Sequence, residues 1–172
     1  GERGREVREF IDRDLGEALG QVFVQKTFGA DTKARTVAMT QEIETAMQNE
    51  IDQLPWMSPV TKKRALEKLH TVANKIGYPD KWRDYSSVKI QRDDYYSNVE
   101  RATLFEVRRQ LQKIGKPLDR GEWQMTPPTV NAYYDAQMND INFPAGVLQP
   151  PLYDPKLDDA PNYGNTGATI GH

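Results

Sequence analysis

The sequence contains no cysteine and only two histidines among its 172 residues. Without cysteine the chain has no disulfide and no thiolate ligand, so any metal must be held by histidine, aspartate or glutamate. The sequence also lacks the roughly 20 consecutive apolar residues that a membrane-spanning helix needs. Its first residues, GERGREVREF, have no apolar stretch typical of a signal peptide. We therefore expect no membrane segment in this chain, and any export signal should lie upstream.

An excess of positive charge is also missing. The 23 lysines and arginines are matched by 25 aspartates and glutamates, giving a formal net charge of -2. A nucleic-acid-binding surface usually needs a basic excess. The one basic cluster, at residues 62–64, falls in a predicted helix and is typical of a solvated helix face. We expect no nucleic-acid partner.

The first two-thirds of the chain has helical periodicity. In the first helix, apolar residues recur at three- and four-residue spacing and should face the core; they are Val7, Phe10, Ile11, Leu15, Ala18, Leu19 and Val22. Four helices are predicted: one ending near Phe28, one from Asp31 as N-cap to Pro55, one from Ser58 to Gly77, and one from Asp94 to Gly115. The last of these should turn Val99, Ala102, Phe105 and Leu111 inward. His70 lies within the third helix without a suitable ligand spacing, which favours a structural or surface role.

Beyond the fourth helix, frequent prolines exclude long helices. Residues 129–134 and 140–143 alternate in polarity around a polar turn, which predicts a β-hairpin. Pro144 closes the second strand and disfavours a central position for that residue. Residues 87–90 suggest one further brief strand. The fold class predicted is mainly α with a small β-hairpin or sheet portion (α+β).

The run VNAYYDAQMNDINFPAGVLQPPLYDPKLDDAPNYGNTGATIGH resembles the signature region of the neprilysin-like M13 zinc metallopeptidases. Members of this family include neprilysin, endothelin-converting enzyme and bacterial oligopeptidase O. The segments LPWMSPVTKKRALEKL, IGYPDKW and EWQMTPPTVNAYY resemble the family too. The resemblance implies the end of a helical domain, residues 1–87 with the linker, joined to the start of a thermolysin-like catalytic domain, residues 88–172.

The resemblance also implies a H-E-x-x-H zinc site that begins at His172. In such a helix, histidines at i and i+4 bind one zinc ion and the glutamate between them acts as base. His172 is thus the expected metal ligand and zinc the expected cofactor. The base and two further ligands are not among these residues, so we expect the chain alone to be inactive and to depend on the remaining catalytic-domain sequence. A terminal residue unrelated to metal, or the start of a tag, is the alternative interpretation of His172.

Peptide substrates are the partners that the resemblance implies. Asn131 should bind the peptide backbone through its side-chain amide, and Ala132 through its backbone carbonyl. An exposed strand can hold an extended peptide by main-chain hydrogen bonds. The alternative for Asn131 is a polar side chain on a solvated strand face, while Tyr133 and Tyr134 are expected to pack within the hairpin.

A pocket for an apolar substrate residue, just past the scissile bond, is implied at Val147, Leu152 and Thr169. Leu152 stands where the family usually has an aromatic residue, and Thr169 where it usually has an aliphatic one. Ordinary core packing is a competing role for Val147 and Leu152.

The function expected is that of a zinc metalloendopeptidase that cleaves oligopeptides with an apolar residue after the scissile bond. The alternative is a noncatalytic, helical peptide-binding module or pseudoenzyme. Because animal members of the family rely on disulfides and bacterial members largely do not, the resemblance implies a bacterial protein. It also implies a location in the periplasm or at the cell surface.

Overall fold

Four helices and a three-stranded sheet precede a short helical segment at the end of the chain. The computed structural model describes residues 1–172. The helices are α1 Glu2–Thr27, α2 Ala30–Gln53, α3 Pro59–His70 and α4 Tyr95–Leu111. The strands are β1 Ala73–Gly77, β2 Tyr133–Asp135 and β3 Asp140–Pro144. The final segment comprises α5 Asp159–Asn162, a π-helical turn Tyr163–Gly167 and α6 Ala168–Gly171. The predicted class, mainly α with a small β portion, is confirmed.

The helix ends follow the capping signals in part. The Ser58 hydroxyl accepts a hydrogen bond from the Thr61 N–H at 3.2 Å, and Pro59 occupies the first position of α3, as predicted. The predicted N-cap of α2 was wrong, because Gly29 occupies that position in an extended conformation and Asp31 lies inside the first turn. An aspartate there still favours the helix, since its charge complements the N-terminal end of the helix dipole.

The prediction that the apolar face of α1 packs in the core is only partly correct. Val7, Phe10, Ile11 and Val22 remain between 42% and 50% exposed. The helix departs from helical geometry at Leu15, where φ is −137° and ψ is 42°. Burial is concentrated in the second half of α1, at the small residues Gly16 and Gly20 and at Val24.

The third helix ends at His70, and its predicted continuation to Gly77 was wrong. Residues 73–77 instead form β1, which pairs in parallel with β3 from Ala73 with Asp140 to Gly77 with Pro144. The apolar residues that extended the helical pattern are used differently: Ile76 is 2% exposed in the strand. The predicted strand at residues 87–90 was also wrong. Ser87 and Val88 lie in a turn closed by a 2.8 Å hydrogen bond from the Val88 N–H to the Tyr85 carbonyl, and residues 89–90 have no regular structure.

The β-hairpin is confirmed. β2 pairs antiparallel with β3 around a turn at residues 136–139, and Asn139 has a positive φ of 51°. β2, the first strand of the hairpin, is shorter than the predicted strand at residues 129–134 and begins at Tyr133. The sheet order is β1-β3-β2, so the Pro144 strand is central, contrary to expectation. The proline fits because it is the last residue of β3, and the next residue, Ala145, continues the ladder by donating its N–H to the Gly77 carbonyl at 2.8 Å.

The core joins the sheet to α1 and α2. Eight buried side chains form it: Val24, Phe28, Met39, Ile76, Phe143, Ala145, Leu148 and Tyr153. α4 packs beside α1 and buries Ala102, as predicted, but leaves Leu111 59% exposed. None of the helices combines the length and apolar character required to cross a membrane.

Candidate functional site

The outer strand of the hairpin presents the residues expected to bind peptide. β2 lies at the edge of the sheet, and Asn131 and Ala132 directly precede it. Asn131 is exposed, and its Oδ1 accepts a hydrogen bond from the Ala132 N–H at 2.8 Å. That bond orients the side chain and leaves the Nδ2 hydrogens available. The two residues therefore lie side by side at an unpaired strand edge.

The two tyrosines that follow Ala132 hold the hairpin in place. The Tyr133 hydroxyl accepts a hydrogen bond from the Gln124 N–H at 2.7 Å, and burial raises the pKa of Tyr133. Tyr134 donates its hydroxyl to Asn139 Oδ1 at 2.8 Å across the turn. These contacts fix the strand from both of its faces.

A buried polar cluster beneath the hairpin was not predicted. Lys75, Asp140 and Asn142 share one face of the sheet, where Asp140 is 1% and Asn142 0% exposed. Lys75 Nζ lies 3.3 Å from Asp140 Oδ2 and also donates to the Glu122 carbonyl; Asn142 Nδ2 donates to Asp140 Oδ1 at 2.6 Å. The alternation of residues 140–143 placed Asp140 and Asn142 on one face. It gave no sign that this face is buried, because the covering segment around Trp123 comes from elsewhere in the chain.

His172 ends a helical segment that packs against α2. The segment starts at Asp159 and passes through the π-helical turn at residues 163–167. Gly167 and Gly171 face Ile43 of α2, and a Cβ at Gly167 would make an ordinary contact with Ile43 Cδ1 at 3.5 Å. The Tyr163 hydroxyl donates to Glu42 Oε2, a hydrogen bond that raises the pKa of Tyr163 to about 12. His172 follows, exposed, with its N–H donated to the Ala168 carbonyl at 3.0 Å.

His172 would be the only imidazole ligand for zinc at this end of the chain. Across the 172 residues, no group of three or more histidine, cysteine, aspartate or glutamate side chains is placed to hold a metal ion. His172 has the right donor chemistry, but a catalytic zinc site takes three protein ligands. His70 is exposed on α3, where its Nε2 lies 3.1 Å from Gln48 Oε1. The residues present therefore do not complete a zinc site.

The three residues expected to line a pocket have different environments. Val147 packs against the core cluster. Leu152 is half-buried, and its carbonyl accepts a hydrogen bond from Thr166 Oγ1 at 2.8 Å, which ties its loop to the final helical segment. Thr169 is exposed on that segment. The structure thus brings Leu152 next to the segment that carries Thr169, while Val147 is partly buried beside the core.

An ionic cleft of about 770 Å³ lies between α1, α4 and residues 122–129. Arg109 bridges Glu106 and Glu122, with both contacts at 2.7 Å. The hydrogen bonds from Arg109 hold the pKa of Glu106 down at about 2. Arg83 joins Glu106 to Glu17 of α1. Since these charges pair with one another, the cleft fastens α4 to its neighbours.

The edge strand and the helical segment ending at His172 carry sequence motifs on which the resemblance to zinc metallopeptidases rests. Two models of peptidase family M13 match the chain, the N-terminal model over residues 2–79 and the peptidase model over residues 131–172. The chain belongs to peptidase family M13.

Its relatives include two human proteins. Endothelin-converting enzyme 1 from Homo sapiens is 39% identical over 171 residues, which covers 94% of this chain and 22% of that protein. Neprilysin from Homo sapiens is 31% identical over 176 residues, covering 98% of this chain and 24% of that protein.

Bacterial structures show the same fold. The Mycobacterium tuberculosis zinc metalloprotease ZMP1 in its open state superposes with a TM-score of 0.88 at 48% identity, over 95% of this chain and 25% of that one. PEPO from Lactobacillus rhamnosis gives a TM-score of 0.77 at 38% identity, over 96% of this chain and 26% of that one. These structures support the expected bacterial origin. The chain spans about a quarter of the length of the relatives it matches.

Proposed function

We propose that the chain is part of a zinc-dependent endopeptidase that cleaves oligopeptides. Its contribution is the strand that holds the peptide and the first histidine of the zinc site. The observation that carries the proposal is the unpaired edge of β2 beside the exposed Asn131, whose Nδ2 hydrogens are free to donate. An extended peptide placed along this edge gains main-chain hydrogen bonds, and Asn131 and Ala132 add one donor and one acceptor.

In this proposal His172 is one zinc ligand, and the other two, with the general base, come from the remaining catalytic-domain sequence. Bound zinc would polarise the scissile carbonyl and activate water. Val147, Leu152 and Thr169 contribute to a pocket for an apolar residue past the scissile bond. The contact between Leu152 and the final helical segment supports this placement.

We also propose that residues 1–87 belong to the helical domain of such an enzyme and residues 88–172 to its catalytic domain. The two family models leave residues 80–130 between them, which is compatible with a boundary in that stretch. A periplasmic or cell-surface location is part of the same proposal and follows the habit of the family. Fractionation of the native cells with an antibody to this chain tests it.

Peptide binding by the purified chain tests the role of the edge strand. A fluorescein-labelled peptide with an apolar central residue should bind, and Asn131→Ala should weaken binding by roughly two- to tenfold, the value of one hydrogen bond. Gln137→Ala, at the exposed tip of the hairpin turn, is the matched control and should bind normally. Equal affinity of the Asn131→Ala variant and the parent chain would remove Asn131 from the proposal.

The sequence that follows His172 distinguishes the endopeptidase from the alternative, a noncatalytic peptide-binding module. We expect the isolated chain to bind zinc weakly, through His172, and to lack peptidase activity. Stoichiometric, tight zinc in the purified chain would contradict this. Reading the encoding gene past His172 decides between the two functions: Glu-x-x-His supports the peptidase, and any other sequence supports the binding module.

A further inference from the structure

A four-residue turn leads directly into the residues proposed to hold peptide. This turn, here called the TPPT turn, comprises residues 126–129, and a single residue separates it from Asn131. The Thr129 N–H donates to the Thr126 carbonyl at 3.0 Å, which closes the turn. Pro127 is fully buried. Because the chain passes from the turn to Asn131 through only one residue, the placement of the turn sets where the peptide-binding residues begin.

Two elements enclose the TPPT turn, and glycines allow both to come close. On one side lies α1, where a Cβ at Gly20 would lie 2.6 Å from Pro127 Cδ. On the other side lies the loop after β3, where a Cβ at Gly146 would lie 2.6 Å from the Thr129 carbonyl oxygen. The Gly146 N–H also donates to the Pro127 carbonyl at 2.7 Å. Neither element leaves room for a methyl group, so the turn is tightly packed between α1 and the loop.

A chain of hydrogen bonds connects the TPPT turn to α1. Thr126 Oγ1 donates to Asp12 Oδ1 at 2.7 Å and lies 3.0 Å from Asp12 Oδ2. A hydroxyl has a single hydrogen, so in the 2.9 Å contact between Thr126 Oγ1 and Thr129 Oγ1 the Thr129 hydroxyl is the donor. A hydrogen bond to an ionised carboxylate is roughly twice as strong as one between neutral groups. The carboxylate of Asp12 therefore orients both hydroxyls of the turn.

The hydrogen bond between Asp12 and Thr126 joins distant parts of the chain. Asp12 lies in the stretch matched by the N-terminal M13 model, whereas Asn131 is the first residue matched by the peptidase model. The close contacts of Gly20 and Gly146 hold the later residues of the turn, and the bond to Asp12 holds its first residue. A segment that is already ordered loses less conformational freedom when it binds a ligand, and therefore binds more tightly.

We propose that Asp12 and Thr126 are positioning residues for peptide binding: their hydrogen bond holds the TPPT turn so that Asn131 and Ala132 are already ordered at the edge of the sheet. This role rests on the proposed function of that edge in holding peptide. Asp12 lies on α1 and Thr126 in the turn, so both act through the turn and not by contact with the peptide. In this way α1 contributes to the affinity of the peptide site.

Two substitutions at Thr126 separate the hydrogen bond from the packing. Thr126→Val keeps the shape of the side chain and removes the hydroxyl, whereas Thr126→Ser keeps the hydroxyl and removes the methyl group that faces Gly16. We expect Thr126→Val to bind the fluorescein-labelled apolar peptide about three- to tenfold more weakly than the parent chain, and Thr126→Ser to bind within about twofold of it. An effect of packing alone would give the opposite order.

Substitution of Asp12 removes the other partner of the bond. Asp12→Ala should weaken peptide binding as much as Thr126→Val, and the double variant should bind no more weakly than either, since both changes remove the same bond. Glu9→Ala is the matched control, because Glu9 is a carboxylate on the same helix whose side chain is 70% exposed, and it should bind normally. Circular dichroism confirms that each variant is folded. If Asp12→Ala unfolds the chain, the two Thr126 variants decide.

Nuclear magnetic resonance relaxation tests the positioning without peptide. In the free parent chain and in Thr126→Ser, the order parameters of the Asn131 and Ala132 backbone N–H groups should be near the value of about 0.85 typical of rigid backbone. In Thr126→Val both should fall. A purely structural role of Thr126 in packing would not lower these values in Thr126→Val while leaving them unchanged in Thr126→Ser.

The outcomes distinguish the positioning role from the proposed function. Equal peptide affinity of Thr126→Val and the parent chain would overturn the positioning role and leave the function intact. Unchanged order parameters, or a loss of affinity in Thr126→Ser as large as in Thr126→Val, would overturn it as well. Failure of the parent chain to bind peptide would instead contradict the proposed function, and the order parameters would then decide whether the hydrogen bond positions Asn131 and Ala132.

Discussion

Gly77, at the end of β1, is a position where a single added methyl group should have a large and measurable cost in stability. Its φ is 86°, and a Cβ there would lie 3.1 Å from Phe28 Cδ1 and closer still to Cε1. Phe28 is 2% exposed and packs edge-on against Tyr78, with ring centroids 6.3 Å apart. The ring has little room to move, so Gly77→Ala combines backbone strain with a clash in the core.

The cost of backbone strain and the cost of the clash can be measured separately, because the chain has a second glycine with a similar φ. Left-handed backbone costs a residue with a Cβ roughly 1 to 2 kcal/mol relative to glycine, and overfilling a packed core costs roughly 1 to 3 kcal/mol more. Gly77→Ala should therefore lower the free energy of unfolding by about 2 to 5 kcal/mol. Gly115 has a similar φ of 75° with nothing within 4 Å of its Cβ position. Gly115→Ala should show the strain alone.

Urea unfolding of the two variants, followed by circular dichroism, measures the difference. We expect Gly77→Ala to be at least about 1 kcal/mol less stable than Gly115→Ala, and Phe28→Leu in the Gly77→Ala background to recover part of that difference. Equal destabilisation by the two alanine variants would show that the Phe28 contact costs nothing, and the packing described for β1 would then be wrong.

Three further predictions concern other parts of the chain. Because the pKa of Glu106 falls from 4.5 to about 2, its stabilisation is complete above pH 4.5 and is lost as pH drops toward 2. Its side chain is 39% exposed, so solvent screening reduces the effect to about 1 kcal/mol, and Glu106→Gln should flatten acid unfolding curves in that range. Ultraviolet titration should find Tyr163 ionising near 12, and Glu42→Gln should return it toward 10; no response to that substitution would exclude the hydrogen bond. Gly20→Ala should cost roughly 1 to 3 kcal/mol in thermal unfolding, because its Cβ would lie 2.6 Å from Pro127 Cδ, and a neutral result would contradict that close approach.

Local patterns predicted the parts of the fold that depend on local physics. The cap at Ser58 and the hairpin around residues 136–139 are determined by nearby residues, and both are confirmed. β1 was missed because Ile76 has the spacing that continues the α3 stripe. Residues 73–77 become a strand because β3 provides a parallel partner, and that partner lies far along the chain.

The same difference between local signals and distant contacts applies to the candidate site. Asn131 and His172 were identified through their motifs, and their roles remain predictions. The buried cluster of Lys75, Asp140 and Asn142 had no sequence signal, since polar residues at alternate strand positions usually face solvent. Only the tertiary cover over that face shows that they are buried.

The parallel pairing of β1 with β3 also has a consequence for the order of folding. The hairpin turn spans four residues, whereas β1 reaches β3 only after the intervening 78–139 segment has been closed into a loop. By chain statistics, closing roughly 60 residues costs about 2 kcal/mol more than closing four. β2 and β3 should therefore associate early, and β1 should dock late. The edge strand proposed to hold peptide would then be formed before the first three helices are fastened to it.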